Sequence, residues 1–184
     1  MENLEKICKQ MRIDIIEMIA AAGSGHPGGS LSACDMIATL FFEKMNIDPS
    51  RPNWEDRDRF VLSKGHVAPA LYAALAERGY IPREDLLSLR KIDSYLQGHP
   101  DMKHTNGVDM STGSLGQGLS VANGTFPQAA RPAAVPIISA SAIPILKNRC
   151  GHTSLNFSDF VACPKSASRT TTFSLSFNSA SVFP

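Results

Sequence analysis

Residues 111–124 read STGSLGQGLSVANG. Gly113, Gly116 and Gly118 leave backbone N–H groups clear of side chains, and the residues beyond them lead into a predicted helix. Unobstructed amides at a helix start form a cradle for phosphate or diphosphate. The pattern is not the GxxxxGK[ST] loop, because no lysine follows. Nor is it GxGxxG, because the glycine spacing differs. A second glycine-rich stretch, AGSGHPGGS, occupies residues 22–30.

Histidines connect the two stretches. His26 lies in SGHPGG, His66 in SKGH and His99 in QGHP, each directly after a glycine. One such residue alone is more often a loop histidine satisfied by nearby backbone. Three of them at the ends of predicted elements point to a shared polar site. There an imidazole can donate, accept or relay a proton near neutral pH. His104 lacks the preceding glycine and is read as an ordinary loop histidine.

Further outward, Leu4, Ile7, Cys8, Met11, Ile15, Met18, Ile19 and Ala22 recur at helical spacing, with Gly23 as a C-terminal cap. An amphipathic helix of about five turns follows. GSGHPGG is expected as a loop. Ser32 and Asp35 make a capping-box pattern that predicts the start of a second helix, with Met36, Ile37, Leu40, Phe41 and Met45 facing inward. Residues 48–57 read as a polar connector and 59–62 as a short strand running into SKGH. A third helix is predicted over 68–78, stopping at Gly79. Pro82, Glu84 and Asp85 predict a fourth that runs to about Lys91. Residues 93–112 are loop-rich. The pattern is α/β with more helix than strand, and ligand sites in such folds lie at strand–helix junctions.

Beyond Gly124 the character changes. Residues 125–184 hold no Glu, one acidic residue (Asp159) and half of the chain's 12 prolines. Pro127, Pro132, Pro136 and Pro144 forbid a long helix, and FSLSF at 173–177 is a weak strand signal. The chain is therefore divided into residues 1–124 and a Ser/Pro/Ala-rich stretch, 125–184, of unknown role. A disordered tail and a shifted reading frame both fit that stretch.

A chain of 184 residues that is 43% apolar can build one globular domain. The net charge of +1 is neutral on nucleic acid. Arg131, Lys147, Arg149, Lys165 and Arg169 are scattered and make no phosphate-tracking stripe, so no nucleic-acid partner is expected. MENLEKICKQ has two glutamates and no apolar run, unlike a signal peptide. Residues 135–146 are too short to span a bilayer and contain Pro136 and Pro144. A soluble, cytoplasmic protein without a membrane partner is expected. Cys8 and Cys34 fall on apolar helical positions as buried thiols. Cys150, His152 and Cys163 lack a fourth ligand and a zinc spacing, so no metal site is assigned to them.

SGHPGGSLS, DRFVLSKGHVAPALYAALAERGY, QGHP and GVDMSTGSLGQGLSVANG, in this order and spacing, closely resemble the N-terminal part of transketolases. The resemblance covers about residues 1–124 and is nearest to the type whose two halves are separate polypeptides. It implies an α/β thiamine diphosphate-binding fold, a parallel sheet flanked by helices, incomplete here and helix-rich in the part present. It implies thiamine diphosphate as cofactor, with His66 beside the diphosphate and Gly113, Ser114 and Leu115 lining the cofactor. By the same resemblance His26 and His99 are catalytic, contacting sugar phosphate substrates and assisting proton transfers. The implied partner is a C-terminal transketolase subunit carrying the pyrimidine-binding domain.

In that family a GDGE-type motif and a later Asn hold Mg²⁺ against the diphosphate. No GDG occurs in this chain. The expectation is a transketolase-like N-terminal subunit for two-carbon ketol transfer, inactive by itself. One alternative is a non-catalytic binding or scaffold protein derived from the same region. Another is a deoxyxylulose-phosphate synthase relative, against which SGHPGG and SKGH speak.

Overall fold

The computed structural model of the chain describes residues 2–55, 57–125 and 137–138. Helix α1 (Glu2–Ala22) follows the apolar periodicity. Its Cys8, Met11, Ile15 and Met18 are buried, while Leu4, Ile7, Ile19 and Ala22 pack at the edge of the core. Each fully buried side chain of this size contributes about 1.5–3 kcal/mol. The helix ends at Gly23, whose φ of 63° suits a residue without Cβ and whose N–H donates to Ala20 O.

Helix α2 (Pro27–Thr39) begins earlier than the capping-box pattern predicts. Proline at the first helical position has its φ already set and loses no hydrogen bond there. Pro27, Gly28 and Gly29 therefore belong to the first turn of α2, and the loop is confined to residues 23–26. His26 is the N-cap residue, without a side-chain cap bond. Ser32 lies inside the helix and donates to Gly29 O, while Asp35 accepts from Arg12 of α1. A single π-helical turn, Leu40–Lys44, continues α2 and buries Phe41 against Phe60.

Helix α3 (Ala68–Arg78) is buried along Ala68–Leu75 and stops at Gly79 in the left-handed conformation, as expected. Together α1, α2 and α3 form one helical layer. The predicted fourth helix is only a 3-10 segment, Arg83–Ser88. It ends early because Leu89 turns into the core and Arg90 takes a φ of 61°. Arg83 ties this segment to α1 through Asp14.

Of residues 59–62, only β1 (Val61–Leu62) is strand. It pairs in parallel with β2 (Ile137–Ile138), and helix α4 (Gln117–Thr125) packs on both. Both β1 residues are buried, as expected of a strand covered on two faces. The strand signal at 173–177 and the Cys150, His152 and Cys163 set lie outside the described residues. No described helix is long and apolar enough to cross a membrane.

Candidate functional site

Four segments meet at the end of β1. The chain leaves Leu62 through Ser63 and Lys64 into a 3-10 turn, Gly65–Val67, that carries His66. His26, at the start of α2, places its ring 5.1 Å from that of His66, nearly perpendicular to it. Glycines allow this approach. A Cβ added at Gly29 would stand 2.9 Å from Val67 Cγ1 and 3.7 Å from His66 Nε2.

The cradle abuts the same turn. A Cβ at Gly65 would lie 2.6 Å from Thr112 O and 2.9 Å from Gly113 N. Thr112 Oγ1 donates to Leu62 O at 2.6 Å, fixing the cradle to β1. Gly113 in turn packs on His99, since a Cβ there would lie 3.3 Å from His99 Cδ2. His99 is supported from behind. The buried Tyr72 hydroxyl of α3 is 2.8 Å from Gln97 O and 3.3 Å from His99 O, so it can donate to either carbonyl. His26, His66, His99 and Gly113 thus share one place, while Ser114 and Leu115 are exposed at its rim. His104 is held by Asp101, with Nδ1 2.6 Å from Asp101 Oδ2, and lines a cavity with His99.

Burial, followed by the charges of His26, Lys64 and His99, holds the His66 imidazole below the ordinary histidine value. The sign follows from linkage. As pH falls, the unfolded chain takes up the His66 proton first. Stability from this group is intact above the unfolded value of 6.5 and is lost as pH falls through it toward the folded value. Thermal unfolding followed between about pH 7.5 and 5.5 is expected to show a falling midpoint, and His66→Gln is expected to flatten that slope.

Lys64 was not singled out in the sequence, because one lysine in a polar tetrapeptide reads as surface. It is 3% exposed, and no carboxylate among the described residues pairs with it. Burial alone pushes its amine below the usual lysine value. Its stem is buried while the amine keeps access to solvent, where an anion can meet it. The preceding Ser63 has a buried hydroxyl with no partner, as does Ser30 of α2. Ser63 lies under the first turn of α4, where a Cβ at Gly118 would come within 2.6 Å of its Cα. Orphaned hydroxyls, a nearby amine and a glycine-opened helix start fit a diphosphate. Among the described residues no group of three or more His, Cys, Asp or Glu side chains is placed to hold a metal ion.

Residues 4–136 match the family model for the transketolase thiamine diphosphate binding domain. The chain belongs to the transketolase N-terminal family. This transketolase domain is 56% identical over 109 residues to the 6-deoxy-6-sulfo-D-fructose transketolase subunit SqwG of Clostridium sp. (strain MSTE9), covering 59% of this chain and 40% of that one. It is 49% identical over 124 residues to the transketolase of Pongo abelii, covering 67% of this chain and 20% of that one. Among solved structures it superposes on the Leishmania mexicana transketolase with a TM-score of 0.66 at 34% identity, covering 73% of this chain and 22% of the other. The transketolase of Pichia stipitis in complex with sedoheptulose-7-phosphate gives 0.63 at 32% identity, covering 73% and 22%. The domain therefore spans two fifths of the length of the first of these curated relatives and a fifth of the second.

Proposed function

We propose that this chain is the diphosphate-side part of a thiamine diphosphate-dependent transketolase, transferring a two-carbon ketol unit from a ketose phosphate to an aldose phosphate. The convergence of His26, His66 and His99 on the glycine cradle carries this reading. In it, His66, Lys64 and the amides around Gly113, Ser114 and Leu115 receive the diphosphate. His26 and His99, each followed by a proline that restricts its backbone, hold imidazoles toward the sugar and move protons at its hydroxyl and carbonyl oxygens. When bound, thiamine diphosphate supplies the nucleophilic carbon that breaks the bond beside the ketose carbonyl. The chain supplies charge compensation, orientation and proton handling. The pyrimidine-binding half comes from a second polypeptide, a reading favoured by SqwG being a transketolase subunit.

The same relative favours a second substrate reading, a sulfonated ketose in place of a phosphorylated one. Purified chain with a C-terminal transketolase subunit, assayed on both sugars, separates the two. Calorimetric titration of the full chain with inorganic diphosphate tests the binding half directly. Binding is expected, and His66→Ala is expected to weaken it about tenfold or more, a loss of about 1.4 kcal/mol. The chain alone is expected to turn over no ketose phosphate. Diphosphate binding that ignores His66, or turnover by the chain alone, would sink this assignment. A scaffold protein would bind its partner but no diphosphate.

A further inference from the structure

Arg90 sits just past the 3-10 segment Arg83–Ser88, at a φ of 61° that is uncommon for a residue with a Cβ. The conformation is held from both sides. Leu89 before it is buried, Leu96 beyond it is fully buried, and Arg90 N–H donates to Leu96 O at 2.9 Å. A strained backbone kept in place by buried neighbours points its side chain deliberately. Here the guanidinium leaves the core and reaches two loops. Its Nη1 donates to Ser24 Oγ at 3.2 Å, two residues before His26. Its Nε would lie 2.9 Å from a Cβ at Gly98, the residue before His99.

We propose that Arg90 is a positioning residue: its guanidinium, set between the SGHP and QGHP loops, fixes the separation of His26 and His99. The planar, rigid fork suits this better than an ammonium, because one face lies on the Gly98 backbone while an edge donates to Ser24. Gly98 is required for the fit. A methyl group there pushes the guanidinium aside, and since that is the far end of a flexible side chain, the fold survives. The proposal rests on reading His26 and His99 as two sides of one sugar site. Its test uses no ligand, so its outcome is separate from that of the diphosphate titration.

Histidine imidazole resonances of the full chain, recorded at one pH for wild type and variants, read the geometry. Arg90→Ala and Gly98→Ala are each expected to shift the His26 and His99 signals and to leave His104 in place. Because Arg90 is exposed, the unfolding midpoint should barely move. The double variant should shift the signals no further than Arg90→Ala alone, since both changes remove one contact. Arg90→Lys should restore part of the wild-type positions. Ser24→Ala cuts the link at its other end and should move both signals even if Gly98→Ala fails to fold. Effects that add in the double variant, or a Ser24→Ala shift confined to His26, would overturn the proposal.

Discussion

Asp109→Asn is expected to lower the unfolding midpoint by about 10–20 °C. The Asp109 carboxylate accepts from Arg57 Nη2 at 2.5 Å, from Phe60 N at 2.7 Å and more weakly from Arg59 Nη1 at 3.4 Å. The paired side chains of Arg57 and Asp109 are 7% and 4% exposed. Removing the negative charge keeps the shape but takes from the buried guanidinium its partner carboxylate, leaving it the neutral carbonyls Pro52 O and Asp58 O. Breaking a buried pair from one side costs about 3–5 kcal/mol. The double change Arg57→Met with Asp109→Leu should recover part of the loss, because the buried guanidinium is gone while Arg59 and the Phe60 N–H still lose their acceptor. Thermal and denaturant unfolding of the three proteins checks this. Equal destabilisation by the single and double variants would show that shape, and not charge, holds the site. The pair matters to function because Arg57 and Phe60 lead into β1 while Asp109 leads into the cradle.

Gly65→Ala should weaken diphosphate binding at least about tenfold, and Gly28→Ala should leave it intact. The added Cβ at Gly65 would enter the backbone of Thr112 and Gly113 at 2.6–2.9 Å. Backbone on both sides has no rotamer to escape into, so the turn bearing His66 must separate from the cradle. Overpacking of this kind costs about 1–3 kcal/mol or more. The charged groups and the amides that would share a diphosphate then stand apart, and affinity should fall at least about tenfold. At Gly28 a Cβ meets nothing within 4 Å. That position lies in the first turn of α2, where alanine should be neutral or stabilise by up to about 1 kcal/mol. Diphosphate titration and unfolding of both variants read the contrast. Comparable binding by the two would mean that the junction of turn and cradle is not where the anion sits.

The parts of the fold that depend on local spacing could be read from the sequence. α1 shows its periodicity, α3 its stop at Gly79, and the histidine loops their glycines. The features missed depend on distance. Arg57 and Asp109 meet across about fifty positions, and nothing near either one announces the pairing. The fourth helix is shortened by Leu89 and Leu96 reaching the core, which no pattern of charges at its start could reveal. The start of α2 at Pro27 was missed because the Ser32 and Asp35 pattern placed it farther along. Lys64 was hidden for another reason. A lysine is taken as surface until the segments around it are placed, and only then does its burial without an acid become informative.

The pairing of β1 with β2 orders the assembly of the molecule in time. The layer of α1, α2 and α3 is made within residues 2–78 and can form while the rest is still being synthesised. Val61 and Leu62 must wait for Ile137 and Ile138, more than seventy positions later. Contacts of such long range form late and slowly. Until then the nascent chain carries a folded helical layer beside a bare apolar strand edge, a template for joining other chains. Any change of the coding sequence ahead of Ile137 that removes β2 would leave that edge permanently open. It would therefore be seen first as aggregation during production, before any loss of ligand binding could be measured.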